Sequence, residues 1–122
     1  MTSHQMVCHL SDSFRVVLGE KPWESQADFK NNLFIKWIAL YVPVPWPKEI
    51  PTRREVEQGL GGTPPLDFQS DRETLVELIE CFCDPQRPAV SGPHPLFGSM
   101  GPRQWLRWAY LHTDHHLRQF GV

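Results

Sequence analysis

Three histidines crowd the C-terminal end of the 122-residue chain, in the run Trp105-Leu-Arg-Trp108-Ala-Tyr-Leu-His112-Thr-Asp-His115-His116-Leu-Arg-Gln119-Phe120. On a helix turning about 100° per residue, with His112 as zero, His116 falls near 40°, Trp105 near 20° and Ala109 near 60°. Arg103, Arg107, Asp114 and Arg118 gather on the opposite side, at about 180–240°. The histidine pair therefore lies on the core-facing side of a helix whose other face is charged. Two imidazoles one turn apart repel if both are protonated, and each has two nitrogens to satisfy. One metal ion answers both demands, since histidines four residues apart can each place a nitrogen about 2.0–2.1 Å from it. His115, near 300°, is a rim residue on the same arithmetic, with pairing of His112 and His115 as the alternative.

Two histidines hold an ion weakly, so a third donor has to come from another element. The candidates are His9, His4, His94 and the acidic residues. His9 lies at the margin of the apolar stripe Met6–Leu10–Phe14–Val17, where it can reach a neighbouring helix. His4 sits in a first helical turn, where fraying disfavours a rigid ligand. His94 lies between two prolines and reads first as a structural contact fixing the start of the last helix, second as a residue at a pocket mouth. Asp12, three residues after His9, reads either as a carboxylate orienting a ligand or as a solvated surface group. Trp105 and Trp108, with Trp37 or Trp46, read as core packing or as the wall of an aromatic pocket.

Four helices must position these groups. The first runs from Thr2 to about Leu18, because Thr2 and Gln5 have capping-box spacing and Gly19 suits the position past the end. The second runs from about Asp28 to Val42, with Phe29, Leu33, Trp37 and Tyr41 as its apolar face and Pro43 as its stop. The third follows a second capping-box pattern, Ser70 with Glu73, and breaks at Pro85. The last opens on Pro102 and closes at Gly121. Ten of the twelve prolines fall between Pro43 and Pro95. Residues 43–68 are accordingly read as an ordered crossover, packing through Trp46, Leu60, Leu66 and Phe68. No strand pattern competes, so the expected fold is all-α: one domain over 1–122, an antiparallel four-helix bundle with one long crossover.

A net charge of −2 supplies no field for nucleic acid or an anionic membrane surface. No run approaches the roughly 20 apolar residues of a membrane span, and no N-terminal leader pattern is present, which predicts a cytoplasmic protein. Cys8, Cys81 and Cys83 lack the spacing of a zinc or redox pair and read as reduced thiols.

The run Met6-Val-Cys-His9-Leu-Ser-Asp12, taken with His112-Thr-Asp-His115-His116-Leu-Arg-Gln119, resembles the DinB/YfiT-like superfamily of metal-binding four-helix bundles. The segment His94-Pro-Leu-Phe-Gly98 with Pro102-x-x-Trp105 looks like a bacterial branch of it. The resemblance implies a three-histidine site of His9, His112 and His116, with Gln119 matching a glutamine often found three residues after the last ligand. It implies a divalent transition metal (zinc, nickel or iron), a small-molecule substrate and, from characterised members, transfer or isomerisation chemistry using a low-molecular-weight thiol. No residue is singled out as a general base. The superfamily's helix before the one bearing the first histidine has no counterpart in these residues, read as a late start, a truncation or a surface supplied by another chain; the apolar groove it would leave predicts a homodimer or poor solubility. The alternative is a non-catalytic helical bundle with structural histidines that binds a ligand or a protein partner.

Overall fold

The structure, a computed structural model, describes residues 1–22, 32–47, 52–88, 90 and 92–122. Among them are four α-helices: α1 (Ser3–Val17), α2 (Asn32–Tyr41), α3 (Phe68–Cys83) and α4 (Pro102–Arg118), with a 3-10 turn at Arg54–Val56 and no strand. The expected all-α class holds. By its internal contacts the chain divides into two compact units, Met1–Trp23 with Ile50–Ala89 and Glu24–Glu49 with Val90–Val122.

The first unit is built on α1 and α3. Thr2 caps α1 as its spacing predicts: its Oγ1 accepts from Gln5 N–H at 3.1 Å and its own N–H donates to Gln5 Oε1 at 2.8 Å. At the other end Gly19 takes a positive φ of 81°. Its N–H donates to Val16 O at 3.1 Å and that of Glu20 to Arg15 O at 2.8 Å, a Schellman closure. The apolar stripe of α1 is buried, and Phe14 meets Phe82 of α3 edge to face at 5.4 Å.

Burial on α1 goes well beyond that stripe and takes in His9, Ser11, Asp12 and Ser13. The serines tolerate it because each hydroxyl donates back to the carbonyl four residues earlier, Ser11 to Val7 and Ser13 to His9. Asp12 tolerates it because Thr63 donates to both of its oxygens, from N–H at 2.6 Å and from Oγ1 at 2.7 Å. Lys21 and Arg15 supply positive charge at 3.1 and 3.5 Å. The solvated reading of Asp12 is thus corrected: it is a fully buried anchor for the crossover.

The crossover residues of this unit lie along α1, attached mainly by polar bonds. Leu60, Leu66 and Phe68, expected to pack, are exposed. The attachments are Thr63 to Asp12, Lys21 Nζ to Gly61 O, and His9 to the carbonyl of Val56. Gly61 and Gly62 are required by close approach: a Cβ at Gly61 would stand 2.5 Å from Arg54 O, and one at Gly62 2.8 Å from Glu57 O. Helix α3 begins two residues before Ser70, because Asp67 is the residue whose side chain accepts from Ser70 N–H.

The second unit is built on α2 and α4. Residues 23–31, including the expected start of α2 and Phe29 on its face, lie outside the described residues. The expected apolar face of α2 is corrected: Leu33, Trp37 and Tyr41 are exposed, as are Phe34 and Ile35, while Leu40 is buried. Only Asn32 and Lys36 are polar on this helix, so apolar positions cover most of its sides and do not by themselves choose a buried face. Polar groups contribute here, with Lys36 Nζ donating to Ser99 O and Arg107 Nε donating to Leu40 O. Helix α4 starts as predicted, with Pro102 in its first turn and Gln104 Oε1 accepting from Gly101 N–H. Trp105, Trp108 and Ala109 are its buried residues.

Candidate metal centre

On α4, His112 Nε2 and His116 Nε2 stand 3.1 Å apart. Two nitrogens each about 2.05 Å from a tetrahedral ion are separated by about 3.3 Å, so an ion requires the pair to open by only a few tenths of an ångström. The tautomers follow from the partners. His116 Nδ1–H donates to Gln119 Oε1 at 3.1 Å, which leaves the lone pair of neutral His116 on Nε2. With that tautomer His112 donates from Nε2 to His116, and an ion would take the place of this proton, neutral His112 then carrying it on Nδ1. Gln119 also donates from Nε2 to His115 Nε2 at 3.1 Å, so one amide fixes both rings.

His115 is thereby turned to Gln119, while His112 and His116, four residues apart, bring their nitrogens within hydrogen-bond distance. His115 also lies 5.9 Å from the Trp46 ring, and burial lowers its pKa. His112 has two indole neighbours, Trp46 nearly parallel at 6.4 Å and Trp108 at 5.1 Å. Trp46 is held for this contact by its Nε1–H, which donates to Ala39 O on α2 at 2.9 Å.

His94 has a structural part. Its backbone pairs with Gly98 in both directions, at 2.7 and 2.9 Å, and its Nδ1 accepts from the N–H groups of Leu96 and Phe97. The buried ring stacks on Phe97 at 4.4 Å and meets Trp105 and Trp108 at 5.6 and 5.5 Å. It is an aromatic plug against the first turns of α4, as the first of its two sequence readings expects. Trp105 Nε1 is the buried side-chain donor in this cluster with no partner.

His9 belongs to the first unit. It is buried on α1, and its Nδ1–H donates to Val56 O at 2.9 Å. A carbonyl only accepts, so neutral His9 carries its lone pair on Nε2, the tautomer a metal ligand needs. Burial lowers its pKa and favours that neutral form. Asp12, three residues on, directs its carboxylate to Thr63.

The same unit holds a group that the sequence reading passed over. His4 Nε2 lies 2.7 Å from Asp71 Oδ2, and Cys8 Sγ lies 3.7 Å from the same oxygen. Leu66 N–H also donates to Oδ2, and this bond, followed by His4, lowers the Asp71 pKa. Burial, followed by the Asp71 charge, pushes the Cys8 thiol up to about 11. The i,i+4 spacing of His4 and Cys8 was readable, and the Thr2–Gln5 capping box argues against fraying. Asp71, sixty-three residues after Cys8, had no local signal.

Histidine-based groups able to hold a metal ion are therefore present among the described residues of an all-α protein. The chain belongs to the family described as protein of unknown function DUF1569, which matches residues 48–121, more than half of its length. That span includes His94, His112, His116 and Gln119, while His9 precedes it. No curated protein and no solved structure matches the chain. Among the described residues no helix is long and apolar enough to cross a membrane.

Proposed function

We propose that the protein binds a divalent transition metal through His9, His112 and His116 and acts as a metal-dependent transferase on small molecules, with a low-molecular-weight thiol as co-substrate. The observation that carries the metal reading is the 3.1 Å approach of His112 and His116 Nε2, with Gln119 holding His116 in the ligating tautomer. His9 supports it from the first unit, since its bond to Val56 leaves the same nitrogen as donor. The all-α fold is compatible with the DinB-like bundle that the sequence resembles, and the thiol chemistry comes from that resemblance alone. Zinc, nickel and iron all suit imidazole donors.

When bound by three histidines, such an ion offers a further coordination position at which a thiol or water loses its proton more easily. The chain's own residues orient the ligands through Gln119 and Val56, and Trp46 and Trp108 give His112 an apolar flank. A homodimer is part of the proposal, because Leu33, Phe34, Ile35 and Trp37 of α2 present a run of exposed apolar side chains.

Zinc titration of the metal-free protein tests the ligand set. His9→Ala and His116→Ala are expected to abolish the tight site, and Gln119→Ala to weaken it by about 10–100-fold. The same number of zinc equivalents, bound with the same affinities, in wild type and all three variants rejects the site. A site that binds metal, without turnover of any thiol and electrophile pair, leaves the non-catalytic binding module as the correct reading.

A further inference from the structure

We propose that His4, Cys8 and Asp71 form a second metal site, separate from the histidine pair of α4 and suited to zinc over magnesium or calcium. One ligand atom from each lies within 4.8 Å of the others, and all three belong to the first unit. Nitrogen, sulfur and carboxylate oxygen are the three donor types zinc accepts, and the thiolate discriminates against magnesium and calcium.

The scaffold positions each donor. His4 and Cys8 are four residues apart on α1 and share one face, and the Thr2–Gln5 capping box fixes the turn that carries His4. Asp71 lies in the first turn of α3, where Leu66 N–H holds its Oδ2 at 3.0 Å. The Phe68 ring stands edge-on to His4 at 5.3 Å and limits its rotation.

The two distances to Asp71 are close to those of a bound state. Tetrahedral zinc with sulfur at about 2.3 Å and oxygen at about 2.1 Å separates them by about 3.6 Å. The Sγ–Oδ2 distance of 3.7 Å already matches. Nitrogen and oxygen ligands would be about 3.3 Å apart, so the 2.7 Å contact of His4 with Asp71 must open by about half an ångström. The ion replaces the proton between them. Neutral His4 then carries its proton on Nδ1, and the Cys8 thiol releases one proton to solvent as its sulfur becomes a thiolate ligand. His4 and Asp71 side chains are 25% and 22% exposed, which gives the ion a path in. A pocket of about 30 Å³ beside Cys8 and Asp71, bordered by Ser11, Arg15, Thr63 and Thr74, has room for about one water as the fourth ligand.

Cobalt substitution tests the site, because a thiolate ligand gives a near-ultraviolet charge-transfer band that an all-histidine site lacks. The full chain carrying Cys81→Ser and Cys83→Ser, which removes the two exposed thiols, is titrated with cobalt. The band is expected, and adding His112→Ala and His116→Ala is expected to leave it unchanged, so the two sites stand or fall separately. Cys8→Ser is expected to abolish it. If Cys8→Ser loses its helical circular dichroism, His4→Gln, at a partly exposed position, decides instead and is likewise expected to abolish the band. Absence of the band from folded protein at saturating cobalt, or its persistence in folded Cys8→Ser or in His4→Gln, overturns the proposal.

Discussion

Asp12 shows how one carboxylate can be both invisible to pattern reading and central to the fold. Its position off the apolar stripe suggested water, yet the chain returns Thr63 to it from fifty-one residues away, and no local spacing announces such a partner. Asp12→Ala leaves the Thr63 N–H without its acceptor, while Lys21 and Arg15 can turn to solvent. It should cost about 2 kcal/mol in urea denaturation. The cysteines differ in the same unit: Cys81 and Cys83 are exposed and Cys8 is buried with its thiol protonated. A disulfide reagent at neutral pH should titrate two thiols rapidly and the third only after unfolding. His9, held neutral by burial, adds a pH dependence to the metal-free protein. Its unfolded-state pKa is near 6.5 and its folded value is lower, so the unfolded chain takes up the proton first. Stability is complete above about pH 6.5 and declines as the pH falls toward the folded value, with His115 adding in the same direction. Melting temperature should fall between about pH 7.5 and 5.5, and His9→Gln should flatten that fall.

The helices themselves were largely legible, because their boundaries are written in short-range chemistry. Thr2 with Gln5, Gly19, and Pro102 each act within a few residues and each does what its type predicts. The two misreadings have physical causes. Ser70 and Glu73 have capping spacing, but Asp67 offers a better acceptor one turn earlier. Helix α2 is apolar over most of its sides, so its buried side is set by Leu40 and by two cations reaching backbone carbonyls, which periodicity cannot register. Glycines separate by mechanism in the same way. Gly61→Ala forces a methyl against Arg54 O and should cost about 2–4 kcal/mol, since the obstruction is backbone. Gly19→Ala meets open space and bears only the left-handed φ, about 1–2 kcal/mol. Thermal melts of the two variants should rank them in that order.

Length and composition suggested one domain, and nothing in them indicates that helices pair alternately, α1 with α3 and α2 with α4, in two compact units. That pairing is set by contacts far apart in sequence. The candidate centre was half legible for the same reason: the spacing of His112 and His116 and the place of Gln119 are local, whereas the Val56 carbonyl that sets the tautomer of His9 is not. The exposed apolar side chains of α2 belong to the proposed homodimer, so sedimentation equilibrium should give twice the chain mass. Leu33→Glu with Trp37→Glu should return it to the monomer mass, and a wild type that is monomeric at all concentrations rejects the dimer. The metal centre is tested most directly by elemental analysis of purified wild type beside the His112→Ala, His116→Ala double variant. The double variant should contain one equivalent less transition metal per chain than the wild type, with its helical circular dichroism retained. Equal metal content in the two proteins, or less than about a tenth of an equivalent in the wild type, would contradict it.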